Sequence, residues 1–210
     1  MNAKNQKKLS EKYYSFFQHL DRNNTPMIDP SKPILESVEK LSKQEQIVVP
    51  MQFGFECGDG WYFILDELMS TIKWHIEQEN KNRDRQPVEK WMDKLSWKLR
   101  IRTSQKRKLL RKLGEWIYDN QPRGVPHLTF QIDQIKEKFG GLRFYYSGGD
   151  DTIDGMVHLA ESMSYGTCES CGSTNNVGRT QGWIYTVCGD CREKNDRIKE
   201  RNWIPNEERH

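Results

Sequence analysis

Four of the chain's five cysteines fall between Thr167 and Cys191, in the stretch TCESCGSTNNVGRTQGWIYTVCGDC. They form two CxxC pairs, Cys168 with Cys171 and Cys188 with Cys191, separated by the sixteen residues Gly172 to Val187. A CxxC turn lets two thiolates meet one ion while neighbouring amides donate to the sulfurs, and two such turns complete a tetrahedron. Gly172 directly follows the second ligand, as a tight knuckle requires, and Gly189 lies inside the second pair. The segment VGRTQGWIYTV between the pairs can form a hairpin, so the spacing predicts a zinc-ribbon module with Zn²⁺ on Cys168, Cys171, Cys188 and Cys191. A rubredoxin-like iron site or a redox dithiol are the other chemistries this spacing admits. Four thiolates close the coordination sphere and leave no position for an activated water, so the metal is expected to hold the fold and not to act.

The rest of the chain must supply its own core. Leu, Ile, Val and Phe make up 44 of 210 residues, close to the roughly 20% below which disorder becomes the working assumption. Disorder usually comes with high net charge, however, and here 33 basic residues against 30 acidic leave +3. Seven Trp and eight Tyr add burial that the aliphatic count misses. The expectation is a folded chain with a modest, aromatic-rich core that a metal would help. The start, MNAKNQKKLSEKYYSFF, is basic and lacks the apolar run of a secretory signal. No stretch approaches a membrane span. A cytoplasmic setting with no membrane partner is therefore expected, where paired thiols bind metal more often than they form disulfides.

Periodicity suggests the elements. KKLSEKYYSFFQHL (7–20) reads as a short amphipathic helix, followed by a Pro-punctuated connection and a second helical stretch near Ile34–Gln44. IVVPMQFGFECGDG is extended and leads into the helix WYFILDELMSTIKWHIEQEN, with Asp59 placed to cap it. ENKNRDRQ reads as a polar loop, and Pro87 suits the first turn of another helix. HLTFQIDQIKEKFGGLRFYYSGG alternates as a hairpin with Gly140-Gly141 near its turn, and the parity break at Ile135 suggests a bulge. DDTIDGMVHLAESMSYG opens with a capping Asp and stops at Gly166. The fold class expected is α+β, several helices with a small antiparallel β-hairpin or sheet and a C-terminal zinc ribbon. The segments divide as an N-terminal helical segment (1–50), an α+β core (51–166) carrying a basic helical segment (94–119), the ribbon (167–195) and a charged tail (196–210).

Two further constellations bear on function. From 98 to 112 the chain carries Lys98, Arg100, Arg102, Lys106, Arg107, Lys108, Arg111 and Lys112 with no acid. Leu109, Leu110, Leu113, Trp116 and Ile117 read as one apolar helix stripe, which puts several of these cations on the opposite face. Such a face can neutralise phosphates or meet another partner, or simply be solvated. The loops CGDGW (57–61) and SGGDD (147–151) both enter helices, and Asp59, Asp150 and Asp151 could form a second metal or ligand loop. Caps and turns are the preferred reading of these residues. Cys57 has no identifiable catalytic partner and reads as a small buried apolar residue. The histidines at 19, 75, 127, 158 and 210 are scattered.

GFECGDGW, IKEKFGGLRFYYSGGDD and TCESCG…GW…TVCGDC, in that order, resemble a family of no assigned activity that is common in tailed-phage and prophage genomes. The resemblance covers roughly Phe53 to Cys191 and implies a phage-encoded protein in a bacterial cytoplasm, where accessory proteins bind and redirect host machinery. It lends no catalytic residues. The reading that follows is stoichiometric binding of nucleic acid or of a nucleic-acid-handling host protein. An anti-defence inhibitor that binds an immune protein or sequesters its nucleotide signal is one alternative. A divalent-metal-dependent enzyme using the acidic loops is another.

Overall fold

The computed structural model describes residues 1–17, 55–100, 103–120 and 128–208. The chain forms two compact units, one of Met1–Lys73 with Phe130–His210 and one of Trp74–Thr129. The boundaries expected at 50, 166 and 195 thus fall inside the larger unit. Within that unit the α+β class, the small antiparallel hairpin and the C-terminal ribbon expected from the sequence are all present. The expected helix near 34–44 lies outside the described residues.

In the larger unit α1 (Ala3–Lys12) is capped by Asn2, whose side chain accepts from Asn5 N–H. A 3₁₀ turn follows at Tyr14–Phe16. Leu9, Tyr13, Phe16 and Phe17 are buried, with Phe16 edge-on to Phe130 and Phe17 stacked on Phe55. The first sheet has the order β1-β2-β3. β1 (Phe55–Glu56) runs parallel to β2 (Phe130–Lys138), and β2 is antiparallel to β3 (Gly141–Gly148). The hairpin turns through Phe139 and Gly140, both at positive φ (56° and 74°), the backbone that two-residue turns need to match strand twist. The bulge falls between Ile132 and Gln134 and keeps Phe130, Ile132, Ile135, Leu142 and Phe144 buried.

α2 (Tyr62–Lys98) starts in this unit and buries Ile64, Leu65, Leu68, Met69 and Ile72. The helix Asp151–Ser164 (α4, with Ser104–Asn120 as α3) is capped by Asp150, which accepts from Ile153 N–H at 3.0 Å. It covers the free edge of β3. Leu142 N–H donates to Ser164 Oγ and Phe144 N–H to Glu161 Oε1, each at 2.9 Å. An edge whose donors are already taken cannot recruit a further strand.

The second unit is a helical hairpin made of the rest of α2 and α3 (Ser104–Asn120). Pro87 lies inside α2, so the loop expected at ENKNRDRQ and the new helix expected at Pro87 are one uninterrupted helix. Pro87 itself is exposed, where water can serve the carbonyl group that lacks a proline N–H. The basic segment expected as one helix over 94–119 is broken instead. α2 ends at Lys98 and Arg100 takes φ 48° before α3 begins. Arg85 lies over the Tyr118 ring and Gly114 faces Met92, so the two helices run antiparallel. No helix among the described residues is long and apolar enough to cross a membrane.

Candidate metal centre

The ribbon is built on a second sheet of order β5-β4-β6, with β4 at Val177–Thr180, β5 at Thr186–Cys188 and β6 at Trp203–Pro205. β4 and β5 are the hairpin expected between the cysteine pairs. Cys168 and Cys171 sit on a knuckle closed by two bonds, Gly172 N–H to the Cys168 carbonyl and Cys168 N–H to the Ser173 carbonyl, both at 2.8 Å. Gly172 holds φ 79°, which a side chain would resist. Cys188 precedes the short helix α5 (Gly189–Glu193), and Cys191 lies one turn into it.

The four Sγ atoms lie within 4.8 Å of one another, and those of Cys171 and Cys188 are 3.7 Å apart. A metal–sulfur bond of about 2.3 Å sets tetrahedral sulfurs about 3.8 Å apart, so the set fits a single ion. The electrostatics agree. Burial works against ionisation of Cys168, but the N–H groups of Cys188, Cys171 and Ser170 outweigh it and hold that thiol below its ordinary value. Burial raises Cys171, and burial together with the Cys171 and Cys188 sulfurs raises Cys191 well above the ordinary range. Four thiols this close cannot share their negative charge unaided, whereas a cation among them reverses the balance. The apolar core of the module is small, with Cys168, Val177, Val187, Cys188 and Ile198 buried. A bound ion would supply much of its stability.

The CGDGW loop is the mount for this knuckle. Gly58 N–H donates to Glu169 Oε1 at 2.9 Å, Gly60 N–H to the Glu169 carbonyl at 2.7 Å and Trp61 Nε1 to the Thr167 carbonyl at 3.0 Å. A Cβ on Gly58 would overlap the Glu169 carbonyl, and one on Gly60 the Cys168 carbonyl and Gly172 N. Trp61 is fully buried. Burial raises the Glu169 carboxyl above its usual range, against the favourable Gly58 N–H. Sequence reasoning missed this role of Gly58, Gly60 and Glu169. The two glycines flanking Asp59 were the available signal, since paired glycines mark close backbone approach as well as turns.

Asp59 does not cap α2, as the sequence reading had it. It accepts from Asn2 N–H at 2.9 Å, from Asn2 Nδ2 at 2.7 Å and from Asn5 Nδ2 at 3.1 Å, fixing the start of α1. Asp150 is the α4 cap and Asp151 an exposed residue of its first turn. Among the described residues, the four cysteines are the group of metal-ligating side chains brought together, and Asp59, Asp150 and Asp151 are not part of one. Cys57 is buried like the small apolar residue expected there, and burial pushes its thiol up to about 12.

Of the basic residues, Lys98 ends α2, Arg100 lies in the connection, and Lys106, Arg107, Lys108, Arg111 and Lys112 are exposed along α3. Arg102 lies outside the described residues. The single apolar stripe expected on α3 is divided. Leu110 and Gly114 turn to α2, while Leu109, Leu113 and Trp116 are exposed. Arg107 and Arg111 line the open cleft beside Met92 and Tyr118. Comparisons with protein-family models, with curated proteins and with solved structures find no match.

Proposed function

We propose that the cysteine centre holds one structural Zn²⁺ and that the chain is a binding protein, without turnover, for nucleic acid or a nucleic-acid-handling host protein. On the resemblance of its motifs, it is phage- or prophage-encoded and acts in a bacterial cytoplasm. Zinc is favoured because four thiolates at tetrahedral spacing suit it. The observation that carries the binding role is the run of cations exposed on the helical hairpin, Lys98, Arg100, Lys106, Arg107, Lys108, Arg111 and Lys112. The acidic loops, the other candidate chemistry, are engaged in fixing α1 and capping α4.

The test is a salt titration of binding to short duplex and single-stranded DNA, with the triple change Lys98→Gln, Arg107→Gln and Arg111→Gln. Each phosphate contact contributes a log–log slope of about −0.9 on duplex and about −0.7 on single strands. The triple variant should therefore lose roughly two to three units of slope while keeping its fold. A salt slope left unchanged in the triple variant, or no binding by the wild type at low salt, defeats the nucleic-acid form of the reading. A partner that nuclease leaves in place but the triple variant releases selects the protein form.

A further inference from the structure

Successive residues of an α-helix step by about 100°, so the two sides of α3 can be read directly. Leu110, Gly114 and Tyr118 face α2. Leu109, Leu113 and Trp116 lie on the far side, spaced four and three apart as in a helix–helix seam, and are 71%, 43% and 62% exposed. Their hairpin has little core of its own. Among its described residues Val88 is the one large hydrophobe that is buried, while Trp74, Trp91, Trp97 and Leu99 are exposed as well. An apolar seam on so thinly packed an element is a surface made to be covered.

We infer that a second copy of this chain covers it, with α3 packed antiparallel against α3 about a two-fold axis close to Leu113. In that register Leu109 of each copy meets Trp116 of the other, and the two Leu113 side chains meet at the axis. The charge along the helix selects this occupant and this direction. Outside the cleft against α2, Lys106, Lys108 and Lys112 precede Leu113 and Asp119 follows it, whereas Arg107, Arg111 and Glu115 line that cleft and take no part. Antiparallel pairing lays the basic half of one helix beside the acidic end of the other, and also opposes the helix dipoles favourably. Parallel pairing would set bases against bases. Nucleic acid suits the seam less, because Leu109 and Leu113 offer it neither hydrogen bonds nor a stacking plane. Such an interface is isologous, so one patch serves both copies. One like-charged approach remains, Lys112 beside its own copy at the axis.

That approach gives a test whose sign separates the readings. Sedimentation equilibrium of nuclease-treated, zinc-loaded protein, at up to about 100 µM, should give twice the 24.9 kDa chain mass. Leu113→Lys should be monomeric over the same range with unchanged helicity and zinc content. Lys112→Gln, by removing the like-charged pair, should tighten association about twofold. Lys106→Glu with Lys108→Glu, and Asp119→Lys, should each self-associate more weakly than the wild type yet pair with one another when mixed. A monomeric wild type, a dimer indifferent to Leu113→Lys, or a Lys112→Gln variant that associates more weakly overturns the inference. So does an oligomer that nuclease dissolves.

Discussion

The two units handle apolar residues in opposite ways. Every buried large hydrophobe among the described residues except Val88 belongs to the unit that carries the cysteine centre. Of the thirteen exposed large hydrophobes, seven belong to the helical hairpin of Trp74–Thr129, a far smaller part of the chain. The larger unit closes on itself through aromatic packing, a hairpin and a knuckle seated on two glycines. The hairpin keeps its seam outside and its cations along the same helix. One unit buries its apolar side chains around a sheet and a four-cysteine centre, and the other leaves most of its large apolar side chains exposed. The same chain can thus be stable and still present a surface to bind with.

The largest effect should come from the metal. Cys188→Ser should abolish stoichiometric zinc, because metal binding and folding are coupled in modules with so small a core. Hydrogen exchange should then rise across Cys168–Cys191 and also at Gly58–Trp61, whose amides and indole are held by Glu169 and Thr167. The α3 amides should exchange as before. Loss of protection that spreads equally into α3 would mean that the two units are not separately maintained. Full zinc retention by Cys188→Ser would remove the centre itself.

Gly60→Ala probes the same seat without touching a ligand. The added methyl meets the backbone of Cys168 and Gly172, which cannot swing aside as a side chain would. A cost above about 2 kcal/mol is expected, in the range reserved for core overpacking and backbone clashes. Denaturant unfolding followed at the buried Trp61 measures it. A neutral substitution would show that the knuckle rests on the loop only loosely.

These two tests mark where the sequence was and was not legible. The CxxC pairs, the bulged hairpin and the Asp150 cap each depend on residues close in sequence, and each was readable. The seating of CGDGW on the knuckle was not, because it joins Gly58 to Glu169 across more than a hundred residues. Pro87 misled because a proline ordinarily marks a boundary, whereas here the helix passes it on an exposed stretch. The apolar positions of α3 read as one stripe in the sequence. Periodicity gives the spacing of a stripe but not whether anything covers it, and α3 divides its stripe between α2 and solvent.

A smaller contrast lies in the ion pairs. Asp66 takes hydrogen bonds from Lys12 Nζ and Tyr13 Oη, each at 2.7 Å, and ties α1 to the start of α2. Burial opposes the Asp66 charge, but these two donors prevail and hold its carboxyl below the usual range. A depressed folded value means that the contribution is present above the unfolded carboxylate value of about 3.9 and is lost as pH falls through the folded one. Asp66→Asn should cost about 1–2 kcal/mol at neutral pH. The gap between variant and wild type should close in acid. In the hairpin, Arg111 and Glu115 are 3.6 Å apart with side chains 74% and 48% exposed. Glu115→Gln, made in the monomeric Leu113→Lys background, should move stability by less than about 0.5 kcal/mol. Equal costs in urea titrations would erase this part of the distinction.

The effect whose sign matters most is at Gly114. It is the buried residue of α3 and the point where α3 approaches α2. Unlike Gly60 it meets no backbone. A Cβ there would lie 3.3 Å from Met92 Cε and Cγ and 3.6 Å from its Sδ. Methionine is unbranched and adapts to such intrusions by small rotations. Against that slight crowding stands the helix-interior cost of glycine, about 1 kcal/mol relative to alanine. Gly114→Ala in the Leu113→Lys background should therefore leave stability unchanged or raise it by up to about 1 kcal/mol, read from thermal unfolding followed by helical circular dichroism. A thinly packed hairpin has room to accept the methyl, and the knuckle seat has none. If the substitution instead cost as much as Gly60→Ala, α2 and α3 would be packed as tightly as the metal-bearing unit, and the hairpin would have no need of a second copy to complete it.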